Sequence, residues 1–235
     1  MTTEKQILIP EEIRETIQRL HLRIMDRFPD SDLAKVCRRL YETAHETDRT
    51  IQWIGKPNYL LRLLVFLVIA LALLLVVHSV SILDIRTDGI DVADLVQTVP
   101  AALDGLVLIG AGIVFLVTLE NRQKRRRVVS AVNKLRCVAH IIDMHQLTKD
   151  PDSLLKISLP TPNSPKRTMN EYELGRYLNY CTEMLSLVSK TGFLYVQDFH
   201  DPVATEAVND LEDLATGLSR KIWQKIMILR PKAGP

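Results

Sequence analysis

The segment Leu60 to Leu83 constrains this chain more than any other. It is 24 residues long and interrupted only by Arg62, His78, Ser79 and Ser81, and its centre, Leu63 to Val77, is fifteen apolar residues without a break. As a helix it spans roughly 36 Å at about 1.5 Å per residue, enough for a hydrocarbon core of about 30 Å. A helix apolar on every side has no place in a small soluble domain, whose helices are apolar along one stripe. The sequence therefore predicts a membrane crossing. Arg62, at its end, can extend its guanidinium to the headgroups. A cleaved signal peptide does not fit, because about 58 mostly polar residues precede the run.

A second apolar run, Val99 to Leu119, contains Asp104, three glycines and Thr118. It reads as the partner helix of a hairpin. Ala101, Gly105 and Gly112 lie near one face and Gly110 adds another small position, which permits close helix contact within the hairpin or between copies. Asp104 sits near the outer end of this span. It is either an interfacial acid or, in the sharper reading, a pore-mouth or ion-site carboxylate, with His78 of the first span within range as a partner across the hairpin.

The flanks set the orientation. Arg122, Lys124, Arg125, Arg126, Arg127, Lys134 and Arg136 follow the second span against Glu120 alone, while the connecting loop 84–98 holds Asp84, Asp88, Asp91 and Asp94 against Arg86. Basic residues stay on the cytoplasmic side. Both termini are thus expected in the cytoplasm, as a multi-pass protein of the cell inner membrane with a short acidic loop outside. The aspartate spacing does not match a calcium-binding EF-hand loop. The basic collar Arg122, Lys124, Arg125, Arg126 and Arg127 either serves orientation alone or also recruits anionic lipid. Nucleic acid is not an expected partner, because the collar abuts the membrane and lacks interleaved aromatics.

The remaining sequence reads as helix. Ile13, Ile17, Leu20, Ile24 and Phe28 recur at helical spacing after Pro10, and Leu33, Cys37, Leu40, Ala44, Ile51 and Ile54 form a second stripe. Beyond the second span, Val128, Val132, Leu135, Ala139 and Ile142 step by four, three, four and three, predicting one stiff rod from Val99 to about Leu147. Pro160, Pro162 and Pro165 mark a linker. Thr168 with Glu171 suggests a capping box for a helix carrying Leu174, Leu178, Cys181, Leu185 and Val188, which Gly192 is expected to cap. Asp201-Pro202 opens a last helix with Ala204, Val208, Leu211, Ala215, Leu218, Ile222 and Leu229 on one face. No strand pattern competes.

The expected fold class is all-α: a two-span transmembrane helical hairpin with a cytoplasmic helical bundle. The parts are an N-terminal helical pair at 1–58, the transmembrane hairpin at 59–119, a membrane-proximal rod at 120–158, the linker at 159–167 and a C-terminal helical hairpin at 168–235. Amphipathic stripes must be covered, by helices of the same chain or of another copy.

Chemistry-bearing motifs are sparse. Three separated cysteines, Cys37, Cys137 and Cys181, exclude a disulfide scaffold and a cysteine-rich zinc module. His140 and Asp143, three residues apart, can share a metal, but His145 faces elsewhere and the helical His-Glu-x-x-His motif is missing. His200 beside Asp201 has no nucleophile that spacing can locate. Phosphate-loop, dinucleotide-fold, nucleophile-elbow and kinase signatures are also missing, and no cofactor is expected.

Three functions remain. The first is a non-enzymatic, oligomeric, membrane-anchored scaffold or signalling component acting through its cytoplasmic helices on a protein partner. The second is a pore-forming or ion-conducting assembly. In layout the chain resembles the two-span effector modules of bacterial defence systems (the SLATT type), which place long helices around a membrane hairpin. That resemblance implies an oligomer acting at the membrane. The third is a membrane-bound metal-dependent enzyme built on His140 and Asp143. The near-neutral charge of +2 is itself an average, since residues 120 to 136 alone carry +6.

Overall fold

A computed structural model describes residues 7–56, 59–82, 92–149, 151, 161–163 and 168–229. Among these residues are six helices: α1 (Pro10–Arg27), α2 (Asp32–Gly55), α3 (Tyr59–Ile82), α4 (Val92–Leu147), α5 (Glu171–Phe193) and α6 (Pro202–Leu229). No strand occurs among the described residues. The chain divides into two compact units, one formed by Met1–Gly55 with Arg125–Pro235 and the other by Lys56–Lys124.

The first unit is a helical bundle, and its stripes pack as the periodicity requires. Pro10 opens α1 in its first turn, where a missing N–H costs nothing, and Ile13, Ile17, Leu20 and Ile24 are buried. Val128, Val132, Leu135, Ala139 and Ile142 of α4 are all fully buried, and the packing is supplied by helices of the same chain. The part of α4 from Arg125 onward belongs to this unit.

Helix α5 is buried on more than its expected stripe. Tyr177, Tyr180, Met184, Leu187 and Thr191 are buried as well as Leu174, Leu178, Cys181, Leu185 and Val188, because α5 packs against α1, α2 and α6 together. Two local expectations shift. The capping box falls on Asn170 and Glu173, two residues later than Thr168 and Glu171: the Asn170 side chain accepts from the Glu173 N–H, and the Glu173 carboxylate accepts from the Asn170 N–H, both at 2.9 Å. Gly192 does not end α5. The helix runs on to Phe193 with Leu194 as its C-cap, and Gly192 is buried in its last turn, where a Cβ would stand 2.6 Å from Leu211 Cδ2 of α6. The chain leaves α5 through Leu194, Tyr195 and Val196, all buried.

Among the described residues one helical stretch, Asp32–Ala72, is long and apolar enough to cross a membrane. None of the described side chains of α3 is buried. The backbone of 99–119 is helical within α4, while the side chains of Ala101 and Asp104 lie outside the described residues. Asp84, Asp88 and Asp91 and the linker prolines Pro160 and Pro165 also lie outside them.

Candidate functional site at the basic segment of α4

The buried stripe of α4 determines where its basic residues can go. Arg125 lies three residues before Val128, so it projects toward the core side of the helix. There it meets Asp201, the residue before α6. Arg125 Nε donates to both carboxylate oxygens, at 2.9 and 2.8 Å, and Nη2 lies 2.7 Å from Oδ2. The same carboxylate caps α6, accepting from the Ala204 N–H at 3.0 Å. Burial pushes the Asp201 carboxyl up; Arg125 and the Ala204 N–H outweigh it and hold the group below the usual carboxylate range. The Asp201 side chain is 7 % exposed, so the pair fastens the start of α6 to α4.

Other members of the collar are similarly engaged. The Arg127 guanidinium lies 3.6 Å from the centre of the Trp53 ring on α2, within cation–π range. Lys124 pairs with Glu120 one turn earlier, at 2.8 Å. Further along, Lys134 bridges to Glu46 at 2.8 Å and Arg136 to Asp210 at 2.9 Å. Arg122 and Arg126 differ from these. No carboxylate lies within 4.0 Å of either among the described residues, and each is exposed, as Arg127 and Lys134 also are.

Beneath the α2 side of this region lies a polar pair that periodicity does not reveal. Thr47, fully buried, donates to the Thr43 carbonyl at 2.9 Å and accepts from the Tyr195 hydroxyl at 2.8 Å. Burial pushes that hydroxyl up to about 12.

The other predicted residues are dispersed. His140 is exposed, and Asp143 accepts from Gln146 Nε2 at 2.7 Å. Among the described residues no group of three or more His, Cys, Asp or Glu side chains is disposed to hold a metal ion. His78 is exposed on α3. Gly105, Gly110 and Gly112 stand open, with nothing within 4 Å of a Cβ built at any of them. Asp201 was legible as a helix cap from Asp-Pro, whereas its partner Arg125, 76 residues away, was not. No family model matches the chain, and no curated protein or solved structure matches it either.

Proposed function

We propose that the protein is a non-enzymatic, oligomeric scaffold or signalling component, anchored in the cell inner membrane and acting through its cytoplasmic helical bundle. The observation that carries this reading is the contrast between the units. The bundle encloses a continuous core, while α3 leaves Leu60, Leu63, Phe66, Leu67, Leu71, Leu74 and Val77 each more than half exposed. So much apolar surface on one helix calls for a lipid environment. The first span is α3 and the second is 99–119, with both termini inside. Arg122 and Arg126 are the collar residues left to meet anionic headgroups.

Cys137 provides the test of topology, since it is exposed on the bundle while Cys37 and Cys181 are buried. After carbonate extraction the chain should remain in the membrane fraction, and a membrane-impermeant maleimide should label Cys137 in inverted vesicles but not in right-side-out ones. Recovery in the soluble fraction, or labelling with the opposite sidedness, refutes the reading.

The second reading, an ion-conducting assembly, draws on the open face at Gly105, Gly110 and Gly112, where a helix of another copy can approach closely. It requires ion flux through the purified oligomer in liposomes, altered by Asp104→Asn. An oligomer without flux leaves the scaffold reading standing and removes this one.

A further inference from the structure

At the end of the bundle where α1 finishes and α5 begins, three arginines gather over two tyrosines. Arg23 Cζ lies 5.3 Å and Arg176 Cζ 4.9 Å from the Tyr180 ring centre, and Arg27 Cζ lies 5.3 Å from the centre of Tyr172. The Tyr180 ring is backed by Phe28, edge to face at 6.3 Å. Its hydroxyl donates to the Arg23 carbonyl at 3.4 Å, which fixes the shelf to α1.

The charges in this cluster do not balance. Arg23 is matched by Glu183, at 2.8 and 3.4 Å. Arg27 and Arg176 have no carboxylate within 4.0 Å among the described residues. Of the acids in this region, Asp32 pairs with Lys35 at 2.9 Å and Glu173 closes the capping box of α5. The Tyr180 hydroxyl registers the surplus. Burial pushes it up, yet Arg176 and Arg27 together hold it below the ordinary tyrosine value. Two guanidiniums held near one phenol oxygen repel each other, and an anion placed between them would relieve that repulsion. Their flat, multi-donor forks suit tetrahedral oxyanions, and the ring of Tyr172, 64 % exposed, leaves the approach open.

We propose that Arg27 and Arg176, on the shelf of Tyr172 and Tyr180, form a binding site for a dianionic phosphate group. The site is separate from the collar on α4 and does not depend on the membrane reading. The phosphate belongs either to a soluble ligand or to a lipid headgroup, and the test distinguishes the two. Inorganic pyrophosphate is titrated calorimetrically into the full chain in nanodiscs of neutral lipid. Wild type should bind, R27Q/R176Q should bind at least about tenfold more weakly, and R38Q/R49Q, which removes two exposed arginines of α2, should bind like wild type.

Should the glutamine pair lose helicity, R27K/R176K reads the same site: charge stays, the fork goes, and affinity should still fall. In nanodiscs containing phosphatidic acid, loss of the pyrophosphate signal identifies a headgroup as occupant, and an unchanged signal identifies a soluble one. Absence of binding by wild type overturns the proposal. So does an equal loss in R38Q/R49Q, which would mean a diffuse positive field, or full affinity in R27K/R176K.

Discussion

Asp201 performs two tasks with one carboxylate, and replacing it two ways separates them. Asp201→Ala removes the cap of α6, which costs about 1 kcal/mol in typical hosts and up to about 2. The upper half of that range applies because the Ala204 N–H it serves is fully buried and would be left without an acceptor. Losing Arg125 as partner adds to the deficit. In a domain of this size each kcal/mol moves Tm by about 2–4 °C, so the variant should melt roughly 2–8 °C lower. Asp201→Asn keeps an equally good cap and removes only the charge, so its loss should be smaller.

Acid gives the second readout. The folded carboxyl titrates below its ordinary value, so its contribution is complete above the unfolded pKa of about 3.9 and disappears as pH falls through the folded one. Melts followed by far-UV circular dichroism should show a constant gap between wild type and Asp201→Asn from neutral pH to about 5. The gap should close in stronger acid. Indistinguishable melts of wild type and Asp201→Ala at neutral pH, or a gap that widens on acidification, would show that the carboxylate does not clamp α6 to α4.

Leu135→Ala deletes a fully buried side chain from the bundle face of α4 and should cost about 2–5 kcal/mol by denaturant unfolding. Thr47→Val leaves the Tyr195 hydroxyl buried without its acceptor and should cost about 1–3 kcal/mol, whereas pairing it with Tyr195→Phe should recover part of the loss. Burial pushes the Cys37 and Cys181 thiols up to about 12, so at neutral pH a thiol reagent should modify Cys137 quickly and the other two only on unfolding.

The bundle stripes were legible because burial on one side of a helix leaves a 3.6-residue signature, as in Val128, Val132, Leu135, Ala139 and Ile142. The central position of α5 was not. A helix covered by several neighbours loses its polar face, and Tyr177, Tyr180 and Thr191 do not read as core residues because their polar atoms mask the pattern. Thr47 was missed on α2 for the same reason, being a buried polar residue between Ala44 and Ile51. Gly192 was read as a helix end, where glycine is common, although here it permits α6 to approach. The arginine–tyrosine cluster joins Tyr172, Arg176 and Tyr180, at spacings of four on α5, to Arg23 and Arg27 on α1, and the pairing between the two helices has no local signature.

The basic collar shows how a charge run misleads when it is read linearly. Successive helical residues turn by about 100°, so Arg122, Lys124, Arg125, Arg126 and Arg127 point around the whole circumference of α4. A helix that enters a bundle has no all-round lipid face. Arg125 and Arg127 find partners in Asp201 before α6 and Trp53 on α2, while Arg122 and Arg126 have no carboxylate within 4.0 Å among the described residues. Basic residues at an anionic surface contribute about 1 kcal/mol each, so R122Q/R126Q should weaken binding to anionic vesicles roughly thirtyfold relative to neutral ones. Arg125→Gln should instead lower Tm and leave lipid preference unchanged. Vesicle co-flotation together with thermal melts checks both outcomes. If lipid preference falls equally in the two variants, the collar acts as one undivided charge, and the ion pair with Asp201 is too weak to withdraw Arg125 from the surface.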